Sequence, residues 1–277
     1  MSRHAKRYGQ GTASWLWPVL ALLLLPNVAA ADAVEVDVEL VLAVDASWSM
    51  TPREQEIQRR GYAEALTSEE VVSAITGGFL GRVALTYVVW SGHSTQDVVI
   101  DWTMISDRKD AEAFAELLIS SPDGIYQRTS ISGALLFAAS RFENNGFVSN
   151  RQVIDVSGDG PNNDGTAVVP VRDALLERGI VINGLPLMTK EGRGQIFSLD
   201  DLDEYYRHCV IGGPGAFVLP VLDWEQFPMA VRQKLVLELA DSSGSQFSYT
   251  PTVSSGYDCL VGEKLWEKRF GPTSLSP

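Results

Sequence analysis

The sequence predicts an α/β fold: a doubly wound, mostly parallel central sheet flanked by helices. Three observations predict it. Strand-length apolar runs alternate with helix-length amphipathic segments through most of the chain. The segments between strands are long enough for right-handed β-α-β crossovers. The first strand, Val34 to Val44, alternates and then becomes wholly apolar, as a strand does on entering a sheet centre covered on both faces.

The elements follow in order. Thr51-Pro52-Arg53-Glu54 opens a helix, with Thr51 as cap, Pro52 in the first turn and Glu54 completing a capping box; the helix runs to about Leu66. A short second helix covers Glu69 to Ile75. Val83 to Trp90 is a strand, and Val98 to Trp102 a shorter one suited to a sheet edge. Asp107 to Ile119 reads as a helix with Phe114, Leu117 and Leu118 on one face, and Ile131 to Phe142 as a more apolar helix. Strand Val153 to Val156, helix Val168 to Arg178 and strand Ile180 to Leu185 come next. A helix near Leu202 to Cys209, a strand Phe217 to Val221 and a helix Trp224 to Leu239 complete the domain.

The ends are different in kind. Arg3, Lys6 and Arg7 precede an apolar stretch from Trp15 to Leu25, which is followed by Val28-Ala29-Ala30-Ala31. A basic start, a short apolar run and a small-residue end predict a cleaved signal peptide over residues 1–30, and hence a periplasmic or secreted bacterial protein. The run is shorter than the ~20 residues a spanning helix needs, and no later segment is long enough, so no stable membrane insertion is expected after cleavage. Residues 31–240 form the predicted domain. Residues 241–277, rich in Ser, Gly, Thr and Pro, are expected to be an irregular tail. Cleavage removes three basic and no acidic side chains, moving the formal charge from −13 to −16. Such a surface repels nucleic acid and anionic lipid, and suits cations, basic partners, or acidic partners held through a bridging metal. In an oxidising compartment the two cysteines, Cys209 and Cys259, predict one disulfide that staples the tail to the domain; the alternative is a pair of buried thiols.

Ligands of open α/β sheets bind outside the carboxyl ends of the strands. Three segments expected at that edge carry oxygen side chains: Asp45-Ala46-Ser47-Trp48-Ser49, Ser157-Gly158-Asp159-Gly160-Pro161, and Arg128-Thr129-Ser130-Ile131-Ser132. Two carboxylates with several hydroxyls, and no sulfur or imidazole, suit Mg²⁺ best among the hard ions, with Mn²⁺ or Ca²⁺ as alternatives. An ion held largely by neutral hydroxyls stays electron-poor and seeks a carboxylate from outside. Each piece also has a bland reading: Ser49, Thr51, Thr129 or Ser130 as helix caps, and Asp159-Gly160-Pro161-Asn162 as a turn.

The string Asp45-x-Ser47-x-Ser49, with Thr129 and Asp159-Gly160, resembles the metal-ion-dependent adhesion site of von Willebrand factor A (vWA) domains, over roughly Val34 to Ala240. Ala43 to Met50, Ile154 to Asn163 and Cys209 to Phe217 resemble more narrowly the bacterial DUF1194 proteins. The resemblance implies the vWA, Rossmann-like fold, with Ser47, Ser49 and Thr129 offering hydroxyls to the ion and Asp45 and Asp159 binding it directly or through water. It leaves a position for the Asp or Glu of an unidentified partner protein. Where many vWA domains carry Gly-Gly before the threonine, Gln127-Arg128 stands here. Arg128 beside the site, and Trp48 between two ligands, become candidate partner contacts. The expected function is a non-catalytic binding or adhesion module. The rivals are a metal-dependent hydrolase, with His93 the one candidate base, and a structural domain whose metal only stabilises loops. The resemblance also raises a shift of the helix Trp224 to Leu239 on ligand engagement, which a stapled tail would restrain.

Overall fold

Val41 and Ala43 face one way from the central strand and Leu40, Leu42 and Val44 the other, and each set is sealed by its own layer of helices. The computed structural model describes residues 1, 33–124, 128–189, 198–240 and 256–271. The chain divides into two units, Met1–Asp32 and Ala33–Pro277, and every described element lies in the second. The expected signal peptide falls outside the described residues.

In chain order the elements are β1 (Val34–Glu35), β2 (Glu39–Asp45), α1 (Pro52–Leu66), α2 (Glu69–Thr76), β3 (Val83–Trp90), β4 (Gln96–Ile105), α3 (Arg108–Ser120) and α4 (Ile131–Ser140). Then follow β5 (Phe147–Val148), β6 (Gln152–Gly158), α5 (Val168–Glu177), β7 (Val181–Pro186), α6 (Leu202–Tyr205, continued by a π-helical turn Tyr206–Val210), α7 (Phe227–Leu239) and α8 (Val261–Phe270). The main sheet has the order β4-β3-β2-β6-β7. All its pairings are parallel except that of the edge strand β4 with β3. Helices α1, α2, α3 and α7 cover one face and α4, α5 and α6 the other. From β2 the chain crosses to β3 on one side, while β6 lies on the other. The carboxyl ends of β2 and β6 therefore flank the topological switch point.

The start of α1 follows the expectation in detail: the Glu54 amide donates to the Thr51 hydroxyl, and Glu54 accepts from the Thr51 amide at 2.7 Å. Four expectations need correction. The long first strand is split, because Asp37 turns its carboxylate onto the Leu80 and Arg82 amides. On α3, Leu117 points to solvent, and Ala111 joins Phe114 and Leu118 in the core, as helical spacing of three and four residues demands. Phe217 to Val221 runs beside β7 but makes only two isolated bridges, Gly184 to Val218 and Leu187 to Val221. Pro186, which carries no N–H, breaks the run of bonds between the two segments. The tail is not wholly irregular, for it contains α8.

On the α1/α7 side lies a buried charged network. Lys234 of α7, with no exposed surface, pairs with Asp155 of β6 at 2.7 Å and with Glu238 one turn away. Tyr62 donates to Asp155 at 3.3 Å, and Asn183 of β7 donates to Glu238 at 2.9 Å. The helix is thereby tied to two strands through its interior face.

Candidate metal centre

Asp45 is the last residue of β2, so its side chain leaves the sheet at the switch point. Its Oδ1 accepts from the Ser47 amide at 2.7 Å, bending the chain into a turn closed by the Met50 amide on the Ser47 carbonyl at 2.9 Å. That bend sets the Ser47 and Ser49 hydroxyls 2.8 Å apart. Ser49 donates in turn to Asp159 Oδ1 at 2.8 Å, and the Asp159 amide reaches back to Asp45 Oδ2 at 3.4 Å. Four of the five expected ligands thus form one hydrogen-bonded chain across the ends of two neighbouring strands. Gly158, the last residue of β6, makes this possible: a Cβ there would stand 3.0 Å from Asp45 Oδ2 and 2.9 Å from the Tyr206 hydroxyl.

Thr129, the fifth, is brought alongside through its backbone. Its amide donates to Asn163 Oδ1 at 3.1 Å and its carbonyl accepts from the Asn163 amide at 2.9 Å. Ser130 caps α4 by accepting from the Gly133 amide, and donates to the Asp164 carbonyl at 2.8 Å. The capping reading is therefore correct for Ser130 and for Thr51, while Ser47 and Ser49 cap nothing and point at carboxylates.

The two carboxyls are held in electrostatic tension. Burial, then the nearby charge of Asp159, push the Asp45 carboxyl well above the usual range. Burial raises Asp159 to about 6, opposed by the Ser49 hydrogen bond and assisted by the charge of Glu54. Beneath them the hydroxyls of Ser157 and Tyr206 and the indole N–H of Trp90 are buried with no hydrogen-bond partner among the described residues. A divalent cation fits this donor set. It would relieve the repulsion of two crowded carboxylates, and the adjoining hydroxyls are hard, neutral oxygens of the kind Mg²⁺ accepts. Among the described residues no group of three or more His, Cys, Asp or Glu side chains is placed to hold an ion. Asp45, Ser47, Ser49, Asp159 and Thr129 are the residues that would do so.

Of the expected contacts, Trp48 is 47% exposed at the tip of the ligand turn. Arg128, directly before Thr129, is part-exposed. Its guanidinium pairs with Asp164 at 3.2 Å and lies 4.3 Å from the ring centre of Trp266, so its charge is engaged inside the chain. It also has φ of 70°, the left-handed conformation glycine adopts freely, which explains why glycine suits this position. Gln127 lies outside the described residues. His93 is turned onto Asp164, with Nδ1 2.9 Å from Oδ2. Burial raises the Asp164 carboxyl, but hydrogen bonds from His93 and the charge of Arg128 outweigh it and hold the group below its ordinary value. Cys209 and Cys259 form the disulfide.

Sequence reasoning missed Glu54 as a neighbouring charge and Asn162 as the node of the 159–164 loop. Asn162 Oδ1 accepts from the Ser132 amide at 3.0 Å, and its amide donates to the Tyr205 hydroxyl at 3.1 Å. The dense Asp159-Gly-Pro-Asn-Asn-Asp164 run was the available signal.

Solved structures with the same fold include the pilus adhesin SpaC from Lactobacillus rhamnosus GG (12% identity, TM-score 0.52, covering 73% of this chain and 31% of that one). The vWF domain of the type V pili tip protein Mfa5 from Porphyromonas gingivalis matches at 9% identity and TM-score 0.51, over 78% of this chain and 100% of that one. Proximal thread matrix protein 1 from the mussel byssus matches at 14% identity and TM-score 0.51, over 75% and 47%. The chain thus spans under a third of SpaC and under half of the byssus protein. At such identities the likeness shows the fold, which is that of a vWA domain. No protein of curated function matches the sequence. Residues 35–243 match the family described as protein of unknown function, DUF1194, and the chain belongs to that family.

Proposed function

We propose that this protein is a metal-ion-dependent binding module that holds an acidic group of a partner protein through a divalent cation, Mg²⁺ first among the candidates. The observation that carries the reading is the continuous Asp45–Ser47–Ser49–Asp159 hydrogen-bonded chain at the switch point of the sheet, with Thr129 stitched to the same loop. Two carboxylates and three neutral hydroxyls supply five donors to an ion that takes about six, and an Asp or Glu from outside takes the position left. The chain's own part is to present the donors, to keep Asp45 and Ser47 buried, and to place Trp48 on the surface between two of them. An exposed aromatic beside a charged anchor is the kind of group that dominates contact energetics.

The reading is non-catalytic. A hydrolase would need a base beside the ion, and His93, the one candidate, makes its hydrogen bonds to Asp164 and not to any of the five candidate ligands. Pilus adhesin and pilus tip proteins among the structural relatives agree with a binding role outside the cytoplasm, as does the signal-like N-terminus. Among the described residues no helix is long and apolar enough to cross a membrane.

Bead-displayed random peptides offered to the mature protein in Mg²⁺ or in EDTA test the proposal. Enrichment of Asp- and Glu-containing peptides in Mg²⁺ alone, lost with Asp159→Ala, is expected. Equal capture in EDTA, or turnover of phosphate or ester substrates lost with the same substitution, would overturn it.

A further inference from the structure

The tail helix α8 is packed onto the loops that carry the candidate ligands. Gly262 lies so close to the 159–164 loop that a Cβ there would collide with the Asn162 carbonyl oxygen and stand 3.0 Å from Pro161 Cβ. One residue on, Glu263 Oε1 accepts from Asn162 Nδ2 at 2.7 Å. One turn further, Trp266 covers the Arg128 guanidinium. Asn162 is three residues from Asp159 and also holds the first turn of α4 through the Ser132 amide. Arg128 directly precedes Thr129 and sits at positive φ, a conformation that persists in a side-chain-bearing residue only where surrounding contacts enforce it. Those contacts are Asp164, from the ligand loop, and Trp266, from α8. The helix therefore bears on two of the three ligand segments, at Arg128 beside Thr129 and at Asn162, three residues from Asp159.

The anchorage of α8 is equally specific. Cys259, two residues before the helix, is bonded to Cys209 at the end of α6, fifty positions away in sequence. Tyr257 stacks on His208 with ring centres 5.3 Å apart and donates to Asp201 at 3.1 Å.

We infer that the disulfide-stapled helix α8 is the outer clamp of the metal centre, with Glu263 and Trp266 as positioning residues acting through Asn162 and Arg128, so that the Cys209–Cys259 bond controls the readiness of the site. The inference rests on the proposed metal centre for its function, but not for its structural half. An oxidised chain presents preset ligand loops. A reduced one leaves α8 without its staple and lets Arg128 relax.

Hydrogen exchange on the metal-free mature chain tests the structural half, and Mg²⁺ titration the functional half. In Cys259→Ser and in Gly262→Ala, amides of residues 128–133 and 159–164 are expected to exchange at least tenfold faster, with β3 unchanged, and Mg²⁺ affinity to fall about tenfold. Glu263→Ala and Trp266→Ala, at positions on the outer helix, should reproduce the effect if the first pair fails to fold. Glu263→Gln, which keeps the accepting oxygen, should restore wild-type behaviour. Loops that keep wild-type exchange while α8 itself loses protection would overturn the clamp, and so would an α8 that stays protected in Cys259→Ser. Faster loop exchange in the variants, together with wild-type protein that binds no Mg²⁺, would refute the metal reading and leave the clamp standing.

Discussion

At the scale of single residues, the site is a crowd of oxygens whose charges are mutually uncomfortable. Burial and the charge of a near neighbour raise Asp45, and Asp159 is pushed up to about 6. An ion binds the charged forms, so protons compete with it wherever these groups are protonated. Mg²⁺ affinity is therefore expected to fall roughly tenfold per pH unit, per proton displaced, as the solution is taken below about 6. Calorimetric titration at about pH 5 and 7.5 checks this. The sign for the metal-free fold is opposite. A carboxyl raised in the folded state stabilises it at low pH and loses that contribution as pH rises through about 6, so metal-free protein should melt higher at about pH 5 than at pH 7.5. The candidate ligands were legible in the sequence because three oxygen-rich segments fall, by the order of strands and helices, at one edge of one sheet. The Asn162–Glu263 and Arg128–Trp266 contacts were not, since they join residues more than a hundred positions apart and no local pattern announces them.

At the scale of elements, α7 shows how a helix is fixed in register by more than apolar contact. Phe227, Val231, Leu235 and Leu239 are all buried against the sheet, each contributing about 2 kcal/mol by area removed from water. Lys234 adds a positional constraint, because sliding the helix would strand Asp155 of β6 without its cation and part Glu238 from Asn183 of β7. A shift of this helix on ligand engagement, which the family resemblance raises, would have to break that network. Lys234→Met is expected to cost about 3–5 kcal/mol, the range for removing one partner of a buried pair. Burial and their mutual charge raise Glu238 to about 7, and burial also raises Asp155, even with the lysine present. The orphaned acids will therefore hold protons at low pH, and the deficit should be larger at about pH 8 than at pH 5.5 in urea denaturation. Helix starts were readable wherever a cap made them local, as at Thr51 and Glu54. The Phe217–Val221 segment shows the limit: its composition is that of a strand, but its pairing depends on where β7 reaches Pro186.

At the scale of the whole molecule, the alternation of strands and helices was enough to specify the doubly wound sheet, and the order of motifs enough to place the candidate ligands at one edge of it. What composition obscured was the role of the tail. Its Ser, Gly and Pro content reads as irregular, yet it carries α8 and the half-cystine that docks it. Closing a fifty-residue separation, the disulfide is expected to stabilise the fold by about 4 kcal/mol on the chain-entropy view. Denaturant unfolding with and without reductant should show that difference, and an unchanged midpoint would contradict it. The formal charge of −13 has a consequence at this scale as well. An acidic partner approaches against a repulsive field, so capture is expected to strengthen when moderate salt screens it, the reverse of ordinary charge-steered binding. Partner capture measured from low to physiological ionic strength at constant Mg²⁺ checks the direction.

The most direct measurement is isothermal titration of metal-free mature protein with Mg²⁺, beside Asp45→Ala. Saturable one-site binding in the wild type, absent in a variant that keeps its fold, is the predicted result. Equal Mg²⁺ binding by the two proteins would contradict the placement of the ion at the ends of β2 and β6.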